Sequence, residues 1–188
     1  AVAIITPFKN DLIDYDKLAE LIEFQIANDT DAIVVCGTTG EASTILDDDH
    51  IAAIQFTVQQ VHKRVPVIAG TGSNHTSHGI KLSKAAEMAG ADGILSVTPY
   101  YNKTTQKGLY AHFKAIADSV HLPVILYNVP SRTNLNINPE TVQELSQIDN
   151  IVAIKECNMA QAGDIINLCA EDFTLYSGDD SMVVPMLS

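Results

Sequence analysis

The sequence predicts an α/β fold, a (β/α)8 TIM barrel truncated before its eighth strand. Three observations point there: seven short apolar runs rich in β-branched residues, longer stretches of helical periodicity between them, and run starts spaced roughly 23 to 33 residues apart, the length of one βα unit. Runs this short and continuously apolar suit parallel strands covered on both faces. Seven strands with six complete helices between them favour the barrel over a doubly wound sheet, which is the alternative on pattern alone.

The elements follow in order. Residues 1–6 form the first run, and 17–27 the helix after it, with Asp14 as N-cap. Residues 32–36 lead into a helix at 48–62, for which Asp47 is the expected cap. The run 65–69 precedes a helix at 77–89, closed by Gly90 as its C-terminal residue. The run 93–97 is followed by a helix at 109–120. After 123–127 comes a helix at 139–146, where Pro139 behind Asn138 suits the first helical position. The run 151–155 leads to a helix at 160–169, and 174–176 is the last strand. No linker or shift in composition divides the chain, so residues 1–188 read as one domain. A closed barrel usually needs ~250 residues, so the sequence is expected to lack the eighth strand and any C-terminal helices.

Composition narrows the partners. Hydrophobic residues make up 46% of the chain, and the net charge is −12 with the basic side chains scattered singly. Nucleic acid and anionic membranes need clustered Lys and Arg, so neither is expected. No apolar run approaches the ~18 residues of a membrane span. The chain opens directly in a strand-like run, and no leader is expected. Cys36, Cys157 and Cys169 show no paired or zinc-type spacing and read as reduced, buried residues of a cytoplasmic protein. The sequons at Asn28, Asn74 and Asn102 carry no meaning off the secretory route. His75 and His78 lack an acidic or cysteine partner nearby and make a poor zinc pair, so no metal is expected.

In a barrel of this kind the chemistry stands at the C-terminal ends of the strands. Of nine lysines, Lys155 alone directly terminates an apolar run. Burial there would lower its pKa and free a neutral amine nucleophile. The alternative is a structural ion pair with Glu156 or Glu41. Tyr127 ends the preceding run by the same logic; it is either core filler or a proton relay beside the lysine. Gly37-Thr38-Thr39-Gly40 offers hydroxyls and free backbone N–H groups at a strand-to-helix turn, a fair cradle for a carboxylate. Arg132, one of two arginines, lies in the loop after the fifth run and suits bidentate capture of a second carboxylate. Arg64 precedes a strand at the opposite end and reads as structural.

At these residues the sequence resembles the dihydrodipicolinate synthases of the pyruvate-dependent class I aldolase superfamily. The likeness runs from the first strand to the end of the chain. It rests on G-T-T-G-E, A-G-T-G-S-N, P-Y-Y-N-K, Y-N-V-P-S-R-T, the lysine ending I-V-A-I-K-E, and S-G-D-D. The resemblance implies a lyase that condenses pyruvate with aspartate 4-semialdehyde on the way to lysine and diaminopimelate. Lys155 would form the Schiff base without a cofactor. Tyr127 would shuttle protons, linked to Thr38 and to Tyr101, the latter reaching into a neighbour's site across a dimer interface. Thr38 and Thr39 would hold the pyruvate carboxylate, with Gly178 at the same site, and Arg132 would guide the semialdehyde carboxylate. A homo-oligomer, dimer or tetramer, goes with it. His50, Asn74, His78 and Tyr100 would mark a regulatory lysine site. Lysine-inhibited members place a histidine and a glutamate where this chain has Asp47 and His78, so weak feedback is expected. Two alternatives stand beside this reading. One is another pyruvate aldolase, an N-acetylneuraminate lyase or keto-deoxy-sugar acid aldolase; these usually lack an arginine at the place of Arg132. The other is a truncated barrel without catalysis.

Overall fold

A computed structural model describes residues 1–187. Two compact units make it up: Ala1–Thr71 with Lys81–Leu95, and Gly72–Ile80 with residues 96 onward.

The first unit holds β1 (Val2–Ala3), a hairpin of β2 (Phe8–Lys9) and β3 (Leu12–Ile13), α1 (Tyr15–Ala27), β4 (Ile33–Val35), α2 (Asp47–Val61), β5 (Val67–Gly70), most of α3 (Thr76–Ala89) and the start of β6 (Gly93–Val97). Its parallel strands lie side by side in chain order, with Val2 beside Ile33, Ile33 beside Val67 and Ala69 beside Ile94. The hairpin turns on Asn10 and Asp11, both at positive φ, the geometry of a type I′ turn. Asp14 caps α1 as expected, accepting from the Lys17 N–H at 3.0 Å. Asp47 does not cap α2. Leu46 holds that position in an extended conformation, while Asp47 sits in the first turn and accepts from Lys81 at 2.7 Å. Its carboxylate is thus committed to an ammonium group rather than to the helix end. Gly90 closes α3 at φ +87, with its N–H on Glu87 O. Arg64 forks onto both oxygens of Glu23 at 2.6 and 2.7 Å, the structural role expected of it.

The second unit continues with α4 (Gln106–Ala117), β7 (Val124–Asn128), α5 (Pro130–Thr133), α6 (Pro139–Leu145), β8 (Ile151–Glu156), α7 (Ala162–Leu168), β9 (Thr174–Ser177) and α8 (Val183–Leu187). β7, β8 and β9 are again parallel and consecutive. A doubly wound sheet would reverse its strand order part-way; neither unit does. Seven parallel strands, each neighbouring the next in chain order within its unit, make this a (β/α) barrel chain with no eighth such strand among the described residues.

α4 starts three residues before the first apolar position of its pattern, because Thr105 caps it through the Gly108 N–H. Its apolar face (Leu109, Phe113, Ile116) is fully buried, as are Val124 and Leu126 of β7, Ile154 of β8, and Val142 and Leu145 of α6. Asn150, just before β8, donates to the carbonyls of Ala117, Val120 and Leu122 at 3.0 to 3.3 Å, closing the end of α4. Among the described residues no helix is long and apolar enough to cross a membrane.

Candidate active site

The parallel register fixes the centre of the site. Tyr127 on β7 stands beside Lys155 on β8, and Lys155 beside Tyr176 on β9. Residues paired in a parallel ladder share one face of the sheet. The Lys155 ammonium accordingly lies 4.5 Å from the centroid of the Tyr127 ring. Tyr127 is buried and Lys155 half-buried. Burial pushes the lysine pKa below its ordinary value, and the charge of Arg132 adds to that; Cys157 and Asp180 pull the other way. Glu156 is not an ion-pair partner: it is the next residue on the strand and so points to the opposite face. Lys155 makes no ion pair among the described residues.

The loop after β9 closes over the lysine. The Gly178 N–H donates to Glu156 O at 2.7 Å. A Cβ at Gly178 would stand 2.4 Å from Cys157 Sγ and 3.2 Å from Lys155 Cε, so no larger residue fits without displacement. Cys157 hydrogen-bonds with the Tyr127 side chain, and burial pushes its thiol pKa up. It is half-buried, as is Cys169; only Cys36 has the full burial expected of all three. Arg132 is exposed on the helical turn α5 rather than in a loop, because Pro130 starts a turn closed by the Asn134 N–H on Pro130 O. Its guanidinium has no ion pair among the described residues. Tyr101 is 92% exposed and sits at φ +70.

Thr38 and Thr39 belong to the first unit, in the turn after β4. Both are exposed, while Gly37 and Gly40 are buried. The turn is tight: Glu41 N bonds Thr38 O at 3.1 Å, and Thr6 Oγ1 donates to Gly40 O at 2.8 Å. His50 is in the same unit, buried, with Nε2 2.8 Å from Gly70 O. The other three residues of its group fall in the second unit. Asn74 Nδ2 donates to Tyr100 O at 3.2 Å, and His78 Nδ1 lies 3.0 Å from Ser73 Oγ.

Sequence reasoning missed the polar cluster behind Lys155. Glu156 is 1% exposed. Its carboxylate accepts from Asn128 Nδ2 at 2.9 and 3.0 Å, from Asn158 N at 2.6 Å and from Gln161 Nε2 at 2.9 Å. The only signal in the sequence is the density of amides at 128, 136, 158 and 161, in the two segments that follow the runs ending at Tyr127 and Lys155.

The family model described as the dihydrodipicolinate synthetase family matches residues 1–188. The 4-hydroxy-tetrahydrodipicolinate synthase of Acetivibrio thermocellus is 66% identical over 187 residues, taking in 100% of this chain and 64% of that protein. The crystal structure of dihydrodipicolinate synthase from Aquifex aeolicus matches with a TM-score of 0.97 at 49% identity, over 99% of this chain and 64% of that one. A chloride-inhibited dihydrodipicolinate synthase from Acinetobacter baumannii, complexed with pyruvate, matches with a TM-score of 0.95 at 45% identity over 98% and 65%. The chain thus spans 64% of the length of the Acetivibrio relative.

Proposed function

The chain belongs to the dihydrodipicolinate synthetase family, and from that membership we propose that the protein condenses pyruvate with aspartate 4-semialdehyde through a Schiff base on Lys155. The observation that carries this reading is the half-buried Lys155 amine, its pKa lowered by desolvation, seated over the Tyr127 ring. A neutral amine is the form that attacks a ketone, and the Acinetobacter relative was crystallised with pyruvate.

The steps follow. Lys155 Nζ adds to the pyruvate ketone, and loss of water leaves an iminium. Removal of a methyl proton gives an enamine, whose carbon attacks the semialdehyde aldehyde; the new alkoxide takes up a proton. The semialdehyde amine then displaces Lys155 as the ring closes. Tyr127, whose buried ring lies against the lysine, carries protons in these steps. From the family resemblance we assign Thr38 and Thr39 to the pyruvate carboxylate and Arg132 to the semialdehyde carboxylate, and the absent side chain of Gly178 leaves room beside Lys155. No separate cofactor is required, since the lysine supplies the electron sink. The exposed Tyr101 fits a role at the site of a second copy in a homodimer or tetramer. His50, Asn74, His78 and Tyr100 form the regulatory set, with weak lysine feedback, and the cytoplasm is the compartment.

Mixing the protein with pyruvate and aspartate semialdehyde and following loss of both tests this reading. Turnover that disappears in Lys155→Ala is the expected result. Turnover that survives in that variant, or wild type that consumes neither substrate, would contradict it.

A further inference from the structure

Among the described residues the buried Glu156 carboxylate is held by N–H donors: the side-chain amides of Asn128 and Gln161 and the backbone of Cys157 and Asn158. The same amides reach outward. Asn128 Oδ1 accepts from Ile137 N at 3.1 Å, Asn128 Nδ2 donates to Asn136 Oδ1 at 2.9 Å, and Asn136 Nδ2 donates to Gln161 Oε1 at 2.8 Å. Asn128 O accepts from Cys157 N at 3.0 Å. The carboxylate therefore ties together the residue after Tyr127, the residue after Lys155, the segment that follows Arg132, and the start of α7.

We propose that Glu156 is a positioning residue, which holds the Lys155 amine over Tyr127 by clamping the ends of β7 and β8 from the opposite face of the sheet. This rests on Lys155 being the Schiff-base nucleophile. A carboxylate presents acceptors alone to these N–H groups, which an amide cannot do. Glu156→Gln would turn one oxygen into a donor that meets the N–H groups of Asn128 and Gln161. The Asn158 N–H is backbone and cannot be inverted, and Gln161 Oε1 is already used by Asn136 and Asn158. The donor clash would loosen both strand ends, letting water reach Lys155 and undoing part of the desolvation that lowers its pKa.

The test measures the rate of pyruvate adduct formation, trapped with borohydride and read by intact mass, across a pH series. Wild type, Glu156→Gln and Gln161→Leu are compared, with circular dichroism reporting folding. Positioning predicts a rate ~10- to 100-fold lower in folded Glu156→Gln, the scale of a small misplacement of a reacting group. It also predicts a pH midpoint moved up towards that of an ordinary lysine. Gln161→Leu, which removes one donor to the carboxylate together with the acceptor used by Asn136 and Asn158, shifts both in the same direction by less, and carries the test alone if Glu156→Gln does not fold. An unshifted midpoint in the folded variants, whatever happens to the yield, overturns the inference and leaves Glu156 a structural residue. Wild type that forms no adduct overturns the lysine assignment together with this inference.

Discussion

Lys155 sits between opposing influences, and each makes a prediction with a sign. Burial and the Arg132 charge disfavour its ammonium form, while Cys157 and Asp180 favour it. Arg132→Gln therefore shifts the pH–rate profile of adduct formation upward, and Asp180→Asn shifts it downward. Parallel profiles in both variants would remove the electrostatic argument. Tyr127→Phe keeps the ring under the ammonium but loses the hydroxyl. It should trap pyruvate yet turn over ~10²- to 10⁴-fold more slowly, the usual contribution of a positioned proton-transfer group; steady-state assays decide. Lys155 and Tyr127 were legible because a strand's end is marked by where its apolar run stops, and both side chains terminate such runs. Glu156 was not, since its partners lie as far away as Asn128 and only the folded strands bring them together. Arg132 was legible in kind but not in setting: the sequence shows Pro130 after a strand, and the short helix it starts has no periodicity to detect.

At the scale of elements, the strands were readable and the ends less so. Helical periodicity registers the first apolar position, so it placed the start of α4 at Leu109 and overlooked the cap at Thr105. It also chose Asp47 over Leu46, because composition cannot reveal that Lys81 engages that carboxylate. Asn150 shows how one polar side chain fixes an element boundary, with three carbonyls on a single amide. Asn150→Ala leaves those carbonyls without that donor and should cost about 1–3 kcal/mol, read as a lower urea midpoint with an unchanged slope. A midpoint equal to wild type would mean water replaces the amide without loss. Gly70 is a stricter case. A Cβ there would lie 2.1 Å from the carbonyl oxygen of Cys36, a backbone atom that cannot swing aside, so Gly70→Ala should fail to give a stable fold.

For the whole molecule, the fold class followed from the apolar runs, the helical periodicity between them and their spacing, whereas the division into two compact units leaves no mark in composition. One buried group couples global stability to pH. Desolvation lowers the His112 pKa from 6.5 to about 4, with Nδ1 2.9 Å from Thr76 Oγ1. Between those values the unfolded chain binds the proton and the folded chain does not. Stability from this group is thus complete above pH 6.5 and falls as pH drops towards 4, by up to about 3 kcal/mol. His112→Gln should flatten that part of the stability curve in urea titrations; an unchanged slope would assign it elsewhere. The central claim, covalent chemistry at one lysine, is tested most directly by incubating the protein with pyruvate, reducing with borohydride and mapping the product by peptide mass spectrometry. A single pyruvyl adduct on Lys155, absent without pyruvate, is the predicted result. A folded protein that stays unmodified, or carries its adduct on another lysine, would contradict it.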